Sequence, residues 1–286
     1  MDPITQTLFE YDQYLREGGE PADLSRFPNV PHVKEKKLHA SALLLCDRRA
    51  AFDVMEDIGE IHADLQLPKS LLLDFRIGNH MEEFVAQAME WKGVLAGYQT
   101  RLSNHERKGR LDLEIDPASL LGTNGDTPNW IVEIKFIKSN KASVLKKYFP
   151  KGYHIAQAET YRELSGRRVV PVLFYALRTT FQTALYSWRW EGDDAVVQVW
   201  DAEYGWTYDD TMAGLKQEIE ASKAAQERWL DIGELPARVG LTPDEHKFLC
   251  ADTYSKRGWA TPTCKFFTRC WDREPEPFKL GSWEDE

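Results

Sequence analysis

One aspartate, one glutamate and one lysine stand at a spacing suited to phosphodiester hydrolysis. Asp112 lies in GRLDLEID (109–116), and Glu133 and Lys135 lie in WIVEIK (130–135). Carboxylates hold a hard divalent cation through oxygen, the cation polarises a phosphate and acidifies a water, and an ammonium beside it steadies the attacking hydroxide or the developing charge. The alternative is a solvated hairpin with ordinary surface charges.

Those groups need strands to carry them. In the first stretch Leu111, Leu113 and Ile115 alternate with Asp112, Glu114 and Asp116, so a strand there sends aliphatics to one side and acids to the other. In the second, Glu133 and Lys135 share one face, with Trp130, Val132, Ile134 and Phe136 on the opposite one. Asp116-Pro117 and residues 122–128, with Asn124-Gly125 among them, supply turn chemistry. The two strands are expected to pair as an antiparallel hairpin that brings Asp112 beside Glu133 and Lys135.

Helices are expected around this hairpin. Ser41 could cap a helix over 39–56, with Leu44, Leu45, Ala51, Phe52 and Met55 as its apolar positions and Cys46 on it. A second helix, 71–91, is written by Ile77, Met81, Phe84, Val85, Ala88 and Met89. His80 falls at the border of that stripe, as either a ligand directed into a cleft or a structural residue. A third, 153–164, ends near Ser165-Gly166 and carries Gln157 and Tyr161 four apart on one face. Residues 169–177 read as a buried strand despite Pro171; 184–190 and 195–200 are strands split by Gly192-Asp193-Asp194; and 209–230 is a charged helix. The run Lys135, Lys138, Lys141, Lys146, Lys147, Lys151 is a solvated face or a seat for a phosphate backbone.

The 286 residues, 42% hydrophobic and 12% aromatic, describe a globular chain with ample core. A net charge of -10 excludes a uniform nucleic-acid-binding coat and leaves a local basic groove open. No basic segment leads into an apolar run at the N-terminus and no run is long enough for a bilayer, so a cytoplasmic protein with no membrane association is expected. Four cysteines in such a chain are metal ligands or buried thiols rather than a disulfide framework. Residues 1–36, polar and punctuated by Gly and Pro, are expected to form a loosely structured N-terminal extension with one short helix near 6–16. A single domain follows over 37–271, and 272–286 is an acidic, mobile tail.

In motif order the chain resembles the RecB-like branch of the PD-(D/E)XK nucleases, within the iron-sulfur group that includes CRISPR-associated exonucleases and AddB-type nuclease domains. The resemblance spans roughly residues 40–270. It rests on a helical histidine after a glycine (Gly78, His80), the GRLDLEID and WIVEIK strands, the QAETY helix with Gln157 and Tyr161, and one cysteine before these motifs (Cys46) with three after them (Cys250, Cys264, Cys270).

The resemblance implies an α/β, restriction-endonuclease-like core: a central mixed sheet flanked by the His80 and Gln157 helices, plus a helical iron-sulfur lobe from 40–66 and 240–271. It implies that His80, Asp112, Glu133 and the Ile134 carbonyl hold magnesium or manganese and that Lys135 orients or activates the water. Gln157 and Tyr161 contact DNA or support the lysine, and the four cysteines hold a [4Fe-4S] cluster. Here 13 residues separate Cys250 from Cys264, wider than the family spacing, so zinc, or a cluster with a non-cysteine ligand, stays as the alternative. Asp74, Glu82, Glu83 and Glu114 are read as structural or supporting acids. The activity implied is a metal-dependent exonuclease on single-stranded DNA ends, 5′ to 3′, with a helicase, recombinase or CRISPR adaptation complex as partner. The alternative is a DNA-binding or assembly module that keeps the fold and cluster without cleaving.

Overall fold

A computed structural model describes residues 1–27, 34–63, 69–123, 127–137, 139, 141, 143–178, 180–237, 266, 269 and 270. In chain order the elements are α1 (Pro3–Arg16), β1 (Leu38–His39), a 3-10 turn (Ala40–Ala42), α2 (Asp47–Asp57), α3 (Lys69–Trp91), β2 (Leu95–Ser103) and β3 (Arg107–Ile115). There follow α4 (Pro117–Leu121), β4 (Trp130–Ile137), α5 (Ser143–Tyr148), α6 (Gly152–Ser165), β5 (Val170–Leu177), β6 (Thr183–Glu191), β7 (Asp194–Asp201), β8 (Gly205–Met212) and α7 (Leu215–Ile232). The chain is α/β: one mixed eight-stranded sheet in the order β1-β3-β4-β5-β6-β7-β8, with β2 also on β3, flanked by helices.

The expected hairpin is present. β3 and β4 run antiparallel, with Leu113 opposite Val132, Glu114 opposite Ile131 and Ile115 opposite Trp130. Its connection includes the short helix α4, because Asp116 accepts the Ala118 N–H at 2.9 Å, Pro117 suits the first helical turn, and Gly122 ends the helix at φ 65°. β4 then runs parallel to β5, joined through α5 and α6, and sets Glu133 opposite Leu173 and Lys135 opposite Tyr175.

Period-two alternation divides the core between the two faces of the sheet. Leu113, Val132, Ile134, Val172 and Phe174 pack against Ile4, Leu8 and Tyr11 of α1 and Val85, Ala88 and Met89 of α3. Leu173, Tyr175 and Leu177 face the other way, onto Ile155 and Ala158 of α6 and Leu215 and Ile219 of α7. Glu133 and Lys135 share that second face because their partners on β5 do. Being buried on both sides, β5 reads as one continuous apolar run.

Three expectations change. Residues 1–36 are not a loose extension throughout: α1, capped by Asp2 on the Thr5 N–H, buries Ile4, Leu8 and Tyr11 in the core beneath α3. The helix expected over 39–56 is broken at Leu44, which sits at φ 57°, so Ser41 falls in a 3-10 turn and α2 begins after Cys46. The helix expected over 209–230 begins only at Leu215, because 205–212 form β8, a largely exposed strand at the end of the sheet whose Trp206 packs against Trp130 and Trp200.

Cys250, Cys264, the 240–265 part of the expected lobe and the 272–286 tail lie outside the described residues. Cys46 and Cys270 are described, each 5% exposed; Cys270 packs with Phe52 of α2, Ile61 and Phe266, and the Phe52 and Phe266 rings are 5.5 Å apart. Residues near the two ends of the sequence therefore meet on α2. Among the described residues no helix is long and apolar enough to cross a membrane.

Candidate active site

β3 changes partner along one edge. β2 runs along its other side; on this one, β1 pairs with Arg107 and Lys108, and β4 with Leu113 to Ile115. Residues 109–112 thus face a fork. The register would next set Asp112 opposite Glu133, but the ladder stops, and Asp112 Oδ2 accepts the Ile134 N–H at 2.8 Å in place of a backbone carbonyl. The fork keeps both strands in the sheet while opening a cleft between them.

Glu133, 2% exposed, has its Oε1 taking a hydrogen bond from Lys135 Nζ and its Oε2 buried without a partner among the described residues. Lys135 also donates to Gln157 Oε1 at 3.3 Å, and the Gln157 amide donates to the Tyr161 hydroxyl at 2.9 Å. One helical turn of α6 separates Gln157 from Tyr161, so the expected shared face exists and it buttresses the lysine. Gly109 is where Tyr161 fits: a Cβ on it would lie 2.4 Å from the tyrosine Cε1 and 3.0 Å from Ala40 Cβ. Gly109→Ala is expected to cost about 1–3 kcal/mol of stability by displacing Tyr161, as read by urea unfolding and by the near-ultraviolet circular dichroism of the tyrosine. Unchanged values in both would mean that the close contact positions nothing.

His80 does not join this group. Its side chain is 82% exposed and lies 3.8 Å from Glu83 on the same exposed face of α3. Glu82 takes its place, lining with Asp112, Gln157 and Tyr161 a cleft of about 390 Å³. The physical reason is helical phase: positions 80 and 82 lie about 200° apart around a helix, so one alone can face inward. The fully buried positions are Val85, Ala86, Ala88 and Met89, whereas Ile77 is 39% exposed. The inward face is therefore rotated from the expected stripe toward Ala86, and Glu82 lies on it, three, four and seven residues before Val85, Ala86 and Met89. A lone acid on that phase was the signal available in the sequence. Of the other nearby acids, Glu114 is tied to Asn129 at 2.8 Å and Arg167 at 2.7 Å, and Glu83 is exposed.

The three carboxylates disturb one another. Burial, then the charges of Asp112 and Glu133, push Glu82 up to about 8; burial, then Asp112, pushes Glu133 up to about 8; and burial raises Asp112. Lys135 is pulled down by burial, but Glu133 and Asp112 outweigh this and raise it, so it stays an ammonium at neutral pH. It can orient a water or stabilise charge; it is not a free base. Among the described residues no three His, Cys, Asp or Glu side chains already stand as a closed ligand set. Crowded acids with one orphaned carboxylate oxygen nevertheless fit a divalent cation, which would replace the protons that now relieve their repulsion. Asp112 and Glu133 are brought together as expected, and Glu82, not His80, lines the cleft with Asp112. At Ile134 the observed contact is the N–H to Asp112.

No known family model matches the chain, and no curated protein matches it. A solved structure described as "Crystal structure of SSO0001" is similar over 64% of this chain and 74% of that one, at 16% identity and a TM-score of 0.34.

Proposed function

We propose that this protein is a metal-dependent deoxyribonuclease that trims single-stranded DNA ends. The observation that supports the reading is the divergence of β3 and β4, where Asp112 lines a cleft with Glu82 and Gln157 and where Lys135, beside it, is bonded to both Glu133 and Gln157. Magnesium or manganese held by Glu82, Asp112 and Glu133 would supply Lewis-acid polarisation of the phosphate and a more acidic water. Lys135, fixed by Glu133 and Gln157, holds positive charge where negative charge develops on the phosphoryl oxygens. Tyr161 and Gln157 keep that ammonium from swinging away. Histidine's absence from the set leaves an all-oxygen donor group, the chemistry magnesium prefers as well as manganese.

The reading includes an iron-sulfur cluster on Cys46, Cys250, Cys264 and Cys270, as a tie between the α2 region and the C-terminal segment. Anaerobically purified protein is expected to absorb near 400 nm; iron-free, colourless protein would remove the cluster and leave the cleft untouched.

End-labelled single-stranded DNA, offered with magnesium, manganese or EDTA, tests the activity. Degradation with either ion and none with EDTA is expected, with loss of the 5′ label first if the direction is 5′ to 3′. Intact DNA with both ions at excess protein would sink the proposal.

A further inference from the structure

Two arginines oppose each other at the mouth of the cleft. The β2/β3 register sets Arg101 directly across from Arg110, and like charges so placed weaken a sheet. Arg101 is compensated by Glu35 at 3.1 Å. Arg110 is exposed and makes no hydrogen bond or ion pair with a described residue. Both line the same cleft as Glu82 and Asp112, and the Arg110 charge reaches Glu82, Asp112 and Tyr161. Gln99, on the same wall, is held at φ 47°, a left-handed conformation that side-chain-bearing residues adopt at a cost and that recurs at ligand clamps. A guanidinium with no acid in direct contact among the described residues, kept beside a second one, is the arrangement that an incoming anion would complete. Its planar fork matches phosphate oxygens.

We infer that Arg110, backed by Arg101, seats a backbone phosphate of a single-stranded nucleic acid next to the phosphate handled at the carboxylates. Two residues along β3 put Arg110 about 7 Å from Asp112, so the strand enters along β3 toward the acids. A cleft of about 390 Å³ has the size of a small-ligand pocket. The inference rests on the nuclease reading of the same cleft and adds the residue that holds the substrate in register.

Binding without cleavage separates the two. The probe is fluorescein-labelled oligothymidine, followed by anisotropy in EDTA over a range of salt. Arg110→Ala is expected to weaken binding about tenfold and to flatten the log K against log salt slope by about 0.7, the loss of one phosphate contact on a single strand. Arg110→Lys is expected to recover the slope and only part of the affinity. If the parent binds and Arg110→Ala matches it in affinity and slope, the seat is wrong while the nuclease reading stands. If the parent binds no oligothymidine, the nucleic-acid reading falls, and the seat with it.

Discussion

Glu133→Gln is expected to lower metal-dependent DNA hydrolysis by at least about 10³-fold while raising the stability of the chelated protein at pH 8. Both effects come from one oxygen pair. The carboxylate is buried, its Oε2 has no partner among the described residues, and it faces Asp112, so without a cation its charge is a burden, and on the proposed reading it would become a ligand. Its carboxyl rises from 4.5 to about 8 on folding, with burial the first cause and Asp112 the second. A folded pKa above the unfolded one means that the folded chain holds a proton the unfolded chain has released. Stability of the metal-free protein therefore falls as pH climbs from 4.5 to about 8. Glutamine has no such proton to lose, so the thermal midpoint of the variant in EDTA should depend less on pH in this window, and added magnesium should raise it less than in the parent. A variant that still cleaves, or whose midpoint falls with pH as steeply as the parent's, would remove Glu133 from the metal site.

The second large effect separates neighbours on one helix. Glu82→Gln is expected to reduce hydrolysis about 10²-fold or more and to raise the metal concentration needed, whereas His80→Ala should leave the rate within about twofold. Glu82 lines the cleft with Asp112 and is raised to about 8 by burial and by its acidic neighbours; His80 is in solvent. Steady-state rates at several manganese concentrations decide it. Loss of activity in His80→Ala with Glu82→Gln unaffected would mean that α3 turns by about half a revolution in the working enzyme and that the histidine is the ligand after all.

Much of the positioning machinery was legible. Alternation in GRLDLEID and WIVEIK gave two strands and their pairing, because a period of two in a half-buried sheet leaves one choice of face. The spacing of Gln157 and Tyr161 gave one turn of α6, and Gly166, at φ 60°, marked its end. The burial of α1 was also legible, since Ile4, Leu8, Tyr11 and Leu15 recur at helical spacing and form the stripe that packs into the core. The strand character of 205–212 was less so: Trp206, Tyr208 and Met212 alternate, but Asp209 and Asp210 interrupt the pattern, and pairing with β7 decides it.

The sequence by itself determined that Asp112, Glu133 and Lys135 share a hairpin and that Gln157 and Tyr161 share a helical face, because local periodicity fixes relations within a strand, a turn or a helix. Only the tertiary structure decided which side of α3 looks into the cleft, that Lys135 lies between Glu133 and Gln157, and that Arg110 opposes Arg101. Those are relations between elements distant in sequence. They depend on the phase at which a helix docks and the residue at which a strand changes partner, and packing of the whole core sets both.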